Sequence, residues 1–194
     1  MISVRQLHGE AIGAALEDVA KLRIAVFRDW PYLYEGSLEY ERGYMQVYHD
    51  SSDTVLIGAF DGKRLVGAAT GTPMLDHAED FAAPLRQIDV PIGDIYYGAE
   101  SVLLPEYRGQ GIGHRFFDLR EAWAKDFGAT HFAFCSVIRP DDHPLKPEHA
   151  RSNDAFWRKR GYLPIKGAIA QFKWRDIDES EQSAKDLQFW MHPL

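Results

Sequence analysis

The 194-residue chain has a single cysteine, Cys135. One thiol makes no internal disulfide and supplies no multi-thiolate metal site, so a soluble protein in a reducing compartment, the cytoplasm, is expected. No apolar run approaches the roughly 20 residues of a membrane span, and Met1-Ile2-Ser3-Val4-Arg5-Gln6 lacks the apolar centre of a secretory signal. Positive charge is short too: 22 Lys+Arg stand against 29 Asp+Glu, a formal net charge of −7. That balance disfavours general nucleic-acid binding, which needs cations to neutralise phosphates. Internal repeats and low-complexity tracts are missing. What the chain does have is an ordinary apolar content of 45%, with 13% aromatics. That suits one packed domain over 1–194 rather than a disordered chain.

The apolar spacing divides the chain into elements. Ile2 to Leu7 alternates as a strand does. Ile12, Leu16, Val19 and Val26 then recur at helical spacing until Asp29-Trp30-Pro31, where proline disfavours helix in the residue before it. An aromatic loop, Pro31 to Gly36, leads to a second helix from Ser37, its N-cap, to about His49. Val55 to Phe60 and Leu65 to Thr72 read as strands joined by an Asp61-Gly62 hairpin. Pro73 to Pro91 is irregular, with a helical turn at Ala78 to Leu85. Ile92 to Leu104 reads as one strand stopped by Pro105. The clearest helix follows, marked by Ile112, Phe116, Leu119, Trp123 and Phe127, with Glu121 placed to pair Lys125 and Gly128 as its stop. His131 to Ile138 is a nearly all-apolar strand of the kind buried on both faces. After a proline-bearing loop come a helix near Asn153 to Arg160 and two strands, Ile165 to Trp174 and Leu187 to Met191. This order gives a mixed α/β domain with an antiparallel half and one strand-helix-strand crossover.

The chemistry-bearing segment is Ser101-Val102-Leu103-Leu104-Pro105-Glu106-Tyr107-Arg108-Gly109-Gln110-Gly111-Ile112-Gly113-His114, between a strand and the strongest helix. Three glycines at alternate positions leave bare backbone at a helix N-terminus, where unpaired N–H groups and the helix dipole favour an anion. Arg108, His114 and Arg115 add local positive charge. A phosphate or pyrophosphate cradle is the physical reading. The P-loop is excluded because no lysine lies between Lys63 and Lys125, and the dinucleotide fingerprint fails because its sixth position, counted from Gly109, is His114.

The pattern that fits is Arg/Gln-x-x-Gly-x-Gly, here Arg108 to Gly113. With its flanking strand and helix, and with Asn153…Phe156-Trp157-Arg158-Lys159-Arg160-Gly161-Tyr162 downstream, it strongly resembles the acyl-CoA pyrophosphate loop of the GCN5-related N-acetyltransferases (GNATs). The resemblance is specific over about residues 92 to 162. It implies an α/β (α+β) fold, a mixed and mostly antiparallel central sheet of six to seven strands flanked by about four helices. It implies acetyl transfer from acetyl-CoA to an amine, on a small molecule or a peptide, with no metal. A second copy of the chain is a further partner it admits, and neither nucleic acid nor membrane is one.

The resemblance also assigns roles. Main-chain N–H groups at Ser101, Val102 and Leu103 would face the thioester and the pantetheine. Arg108, Gly109, Gln110, Gly111, Ile112, Gly113 and His114 would hold the pyrophosphate, with Asn153 and Trp157 against the coenzyme. The family's usual glutamate falls on Tyr97, whereas Glu100 lies three residues on. A β-bulge would bring the two to one face, and a carboxylate in so apolar a strand is expected to have a raised pKa, as a base would. The family's general-acid tyrosine falls on Trp157, which donates no suitable proton; Tyr96, Tyr97 or Tyr162 could substitute, or the thiolate leaves unassisted. A non-catalytic acyl-CoA-binding module of the same fold is the rival reading, motivated by these departures at Tyr97 and Trp157.

Around the acceptor, Trp30, Tyr32 and Tyr34 would roof the site and His143 would line it. Asp29, Glu35, Glu39, Glu41, Asp141 and Asp142 near the entrance hint at a cationic acceptor. Asp141-Asp142-His143 with His149 is a weak metal pattern, because no matching second cluster exists.

Overall fold

The computed structural model describes residues 2–76 and 79–194. Strand β1 (Ile2–Leu7) pairs antiparallel with β2 (Val55–Asp61), and β2 with β3 (Arg64–Pro73). The β2–β3 turn is built on Gly62, whose φ of 60° falls where side chains are strained. Between β1 and β2 run α1 (Glu10–Phe27), α2 (Leu38–Met45) and a single turn, α3 (Val47–Asp50). The Ser37 side chain accepts from the Tyr40 N–H, the expected cap. The helix expected to run on to His49 breaks at Gln46, whose N–H bonds back to the Gly43 carbonyl at 3.3 Å, and the break turns Tyr48 inward.

The Pro73–Pro91 region holds one short helical turn, α4 (Glu79–Ala82), followed by a 3-10 turn over Ala83–Gln87. Ala78, the first residue of the expected turn, lies outside the described residues. The long strand expected over 92–104 is broken into a 3-10 turn at Ile92–Asp94, β4 (Ile95–Tyr97) and β5 (Ser101–Leu103). Then come α5 (Ile112–Phe127), β6 (His131–Val137), α6 (Asp154–Lys159), β7 (Leu163–Trp174) and β8 (Ser183–Pro193). The sheet runs β1-β2-β3-β4-β6-β8-β7, with β5 on β3. Among the described residues only β4–β6 is parallel, as the α5 crossover requires. The expected mixed, mostly antiparallel sheet is therefore present with eight strands, because the break at 98–100 makes two strands of one.

That break positions everything else. Thr72 of β3 pairs Tyr97, yet Ala69 pairs Ser101, so three steps on β3 face four on its partner. The extra residue is a bulge at Gly98-Ala99-Glu100. Up to Gly98, whose N–H reaches the Ala133 carbonyl at 2.8 Å, the strand is bonded to β6. Beyond it β5 stays on β3, while Phe134 to Val137 of β6 bond β8 alone among the described residues. The sheet forks there.

Arg120 of α5 stands at the base of the fork, 1% exposed. Its Nη1 donates to the Thr70 and Glu100 carbonyls at 3.3 and 3.0 Å, and its guanidinium lies over the Phe117 and Phe132 rings at 4.8 and 5.5 Å. Burial without a contacting carboxylate lowers its pKa to about 10, leaving it charged at neutral pH. Glu121 does not pair Lys125. It accepts from Arg160 at 2.8 Å and from the Tyr162 hydroxyl at 2.7 Å, tying α5 to the end of α6. No helix among the described residues is long and apolar enough to cross a membrane.

At Gly98 an added Cβ would meet the fully buried Phe132 ring at 2.7 Å and Arg120 Nη1 at 3.1 Å. Gly98→Ala is expected to cost about 1–3 kcal/mol, the usual range for overpacking a filled core. Urea unfolding followed by circular dichroism measures it.

Candidate active site

The glycine turn has the geometry its sequence implies. Gly109 and Gly111 have φ of 75° and 79°, and Gly111 is the left-handed N-cap of α5. No added Cβ at either would touch anything, so both face open space. The first helical bond runs from Arg115 N–H to the Gly111 carbonyl at 3.3 Å, which leaves the N–H groups of Ile112, Gly113 and His114 without helical acceptors. Arg108 Nε donates to the Leu103 carbonyl at 3.2 Å, Gln110 to the Glu106 carbonyl at 3.3 Å, and the His114 ring sits edge-on to Phe156 at 4.8 Å. Bare amides, a helix dipole and Arg108 make this end of α5 fit a diphosphate.

The fork opens toward the same turn. Leu104 N–H bonds the Val66 carbonyl and Thr70 N–H the Glu100 carbonyl. Pairing alternates along an antiparallel ladder, so Glu100, Val102 and Leu104 address β3, while the N–H groups of Ser101 and Leu103 point into the fork. Val102 is thereby corrected: its N–H belongs to β3 and its side chain is fully buried.

On the other side of the fork lies a cavity of about 620 Å³. Tyr32, Tyr34, Tyr97 and Glu100 line it, and the bulge is what places Tyr97 and Glu100 on one side. Nine of its twenty-two lining residues are aromatic, against 13% in the whole chain. Trp30 and His143 are not among them: their rings pack on each other at 5.4 Å, which takes both out of the expected acceptor lining.

Glu100 is 4% exposed, but its setting is not the apolar one expected. One oxygen takes Arg23 Nη1 and the Tyr44 hydroxyl at 2.6 Å; the other takes the Tyr48 hydroxyl at 3.2 Å and that of Thr70. Burial pushes the carboxyl up, but the Arg23 guanidinium and the three hydroxyls outweigh it, and the pKa lies below the usual glutamate range. The expected raised pKa is overturned, because the sequence did not disclose which donors the fold would bring. Arg23 also donates to Glu41, which is fully buried and accepts from the Tyr34 hydroxyl at 2.8 Å. Glu41 is therefore an interior anion, not an entrance charge.

A second buried ion group fixes the roof. Arg139 donates to both oxygens of Asp176 at 2.6 and 2.9 Å, to the Pro31 carbonyl at 2.8 Å and to the Tyr32 carbonyl at 2.6 Å. Trp174 Nε1 adds a bond to the Tyr32 carbonyl at 3.0 Å, and Lys185 lies 3.2 Å from Asp176. The aromatic loop is thus tied to the β7–β8 end.

The tyrosines proposed as proton donors divide. Tyr96 donates to the Asp53 carbonyl at 2.8 Å and Tyr162 to Glu121, both away from the cavity, while Tyr97 lines it. Burial raises the Tyr97 pKa well above its usual value, so it stays protonated at neutral pH. Trp157 packs between Phe134 and Trp190 at 5.0 and 5.1 Å. Asn153 precedes α6 without making a side-chain cap bond. Burial likewise raises the Cys135 thiol, leaving it unreactive. No group of three or more His, Cys, Asp or Glu side chains suited to a metal occurs among the described residues.

The sequence profile of the Acetyltransferase (GNAT) family matches residues 18–151, and the chain belongs to that family. No curated protein matches it in sequence. Solved structures share the fold at low identity. The acetyltransferase of GNAT family from Streptococcus pneumoniae aligns at TM-score 0.59 and 13% identity, covering 100% of both chains. The protein yncA from Salmonella typhimurium, solved with its cofactor acetyl-CoA, aligns at 0.61 and 11% identity, covering 100% of this chain and 94% of that one. An aminoglycoside 6'-N-acetyltransferase complexed with coenzyme A aligns at 0.62 and 12% identity, covering 98% and 96%.

Two outcomes are expected. Arg23→Met strands two buried carboxylates and should cost about 3–5 kcal/mol in urea unfolding. Glu100 has a lower pKa folded than unfolded, so its stabilisation is full above about pH 4.3 and is lost as pH falls through the folded value. Glu100→Gln should accordingly flatten the acid limb of a stability–pH curve below that pH.

Proposed function

We propose that this chain transfers the acetyl group of acetyl-CoA directly to a primary amine. One observation carries the reading: the fork between β5 and β6 opens at one end onto the glycine turn of α5 and at the other onto an aromatic cavity holding Glu100. A thioester arm laid along β5 would meet the N–H groups of Ser101 and Leu103, with its diphosphate at Gly109 to His114 and Arg108 beside it. Asn153 and Trp157 would lie against the coenzyme, as the family resemblance implies. The relatives solved with acetyl-CoA and coenzyme A support this assignment.

In the reaction an acceptor that enters as an ammonium first gives one proton to water, and the neutral amine nitrogen then donates its lone pair to the thioester carbonyl carbon. Negative charge moves to the carbonyl oxygen, where a main-chain N–H of the fork can receive it. The C–S bond then breaks, the sulfur leaves with its electron pair, and the nitrogen gives up one proton. The products are an amide and a thiol. A thiolate whose conjugate acid has a pKa near 8.5 needs little help in leaving, which suits a site with Trp157 where the family carries tyrosine. Glu100, ionised and already accepting four hydrogen bonds, acts as a fixed anion. It stabilises the positive charge that develops on the attacking nitrogen and leaves the proton to water in the cavity. Tyr97 keeps its proton and bounds the acetyl end of the cavity, while Tyr32 and Tyr34 roof the acceptor.

The rival reading is a module that binds acyl-CoA without turnover, favoured by the low pKa of Glu100 and the packing of Trp157. Acetyl-CoA titration and amine-dependent release of free thiol separate the two: tight binding without accelerated release by any amine would establish the module. Gly111→Ala puts a side chain into left-handed backbone, at about 1–2 kcal/mol. It should weaken acetyl-CoA binding about tenfold by calorimetry while the melting temperature shifts by only a few degrees.

A further inference from the structure

The cavity has an unusual charge arrangement. Arg23 and Glu100 line its inner wall, and Arg23 also bonds Glu41, fully buried behind that wall; among the described residues the other bonding partners of the two carboxylates are hydroxyls. Arg120 lies across the sheet and spends its Nη1 on main-chain carbonyls. Among the described residues Arg23 is thus the one cation bonded to the two carboxylates, Arg120 reaching Glu100 only from its carbonyl side, so a cation entering the cavity would meet a wall backed by two carboxylates.

Nine aromatic residues contribute to the remaining walls. Tyr32 and Trp174 stack at 6.0 Å, and Tyr40 and Tyr44 at 6.2 Å. Tyr40 and Phe172 stay 48% and 43% exposed although both line the cavity, so apolar ring surface continues to the mouth. The lining there has Asp76 and Glu181 but also Lys173 and Arg175, and Glu35 is already paired with Arg28 at 2.7 Å. The two cations there offset the two acids, so no net charge calls for a second ammonium, and Ser37, Ser180 and Gln182 are the neutral polar side chains in the lining apart from the tyrosines.

Resting on the transferase reading above, the geometry points to an arylalkylamine acceptor: one primary ammonium, drawn by the field of the Glu41–Arg23–Glu100 group rather than bonded to its filled oxygens, on a flat apolar body stacked among the tyrosines and Trp174. Cations are drawn to aromatic faces, and ring stacking adds to what burial alone provides. A polyamine would need a further anion for each further charge, and an aminoglycoside would leave hydroxyls facing rings.

Free-thiol release with saturating acetyl-CoA tests this on the full chain, using phenethylamine, tryptamine, spermidine, neamine and a glycyl tripeptide. Phenethylamine and tryptamine are expected to give kcat/KM at least about tenfold above the other three, the effect of one or two stacking contacts. Phe172→Ala at the mouth should raise KM for tryptamine about three- to tenfold and leave KM for acetyl-CoA unchanged. Glu41→Gln should erode the preference for tryptamine over its neutral analogue 3-ethylindole, measured by calorimetry on the CoA-loaded protein. Turnover that favours spermidine, neamine or the peptide would overturn the arylalkylamine class and leave the transferase standing. Tryptamine binding to the CoA-loaded protein without turnover of any amine would do the reverse, keeping the class and removing the transfer. Acetyl-CoA binding with neither tryptamine binding nor its turnover would overturn the class on its own.

Discussion

A single extra residue in the strand opposite β3 governs the site. Without the bulge at Gly98-Ala99-Glu100, the strand begun by β4 would remain bonded to β6 along its whole length. There would then be no fork, no inward N–H groups at Ser101 and Leu103, and no common side for Tyr97 and Glu100. Main-chain bonds still span the bulge, from Ala99 N–H to the Thr70 carbonyl and from Thr70 N–H to the Glu100 carbonyl. Arg120 braces the same two carbonyls with a second donor each, from a fully buried position. A guanidinium is suited to this because its planar fork reaches two acceptors at once and its face rests on the Phe117 and Phe132 rings.

Glu100 illustrates how a carboxylate in an apolar strand can end with the opposite ionisation from the one its neighbours in sequence suggest. The donors that lower its pKa come from positions 23, 44, 48 and 70, three of them on helices far away along the chain. A group so fully bonded is rigid and weakly basic. In the proposed reaction its value would lie in a fixed charge rather than in proton exchange, since preorganised charge costs no reorganisation.

The parts legible in the sequence were those written in short-range pattern. The apolar stripe of α5, its glycine entry and exit, the Asp61-Gly62 hairpin and the all-apolar β6 all stand where periodicity places them. The bulge was accessible only through an oddity, an acid out of phase with Tyr97. The interior ions were missed although a signal existed. Arg23 falls between Val19 and Phe27 on the buried face of α1, Glu41 precedes Met45 on that of α2, and Arg120 sits between Phe116 and Ala124. A charge on an apolar stripe marks a partnered interior ion, but it does not say which partner. Trp30 and His143 went wrong for a related reason: an aromatic loop announces that rings will pack, not on what.

Arg139 binds two stretches of chain that are more than a hundred residues apart, the carbonyls at Pro31 and Tyr32 and the carboxylate of Asp176. Neither stretch can drift alone in evolution without leaving a buried charge or a buried carbonyl unmet. The loop over the cavity and the hairpin beside it must therefore be inherited as one unit. A chimera that borrows one from a relative and not the other would inherit a mismatch at its centre, however well the borrowed surface suits a new ligand.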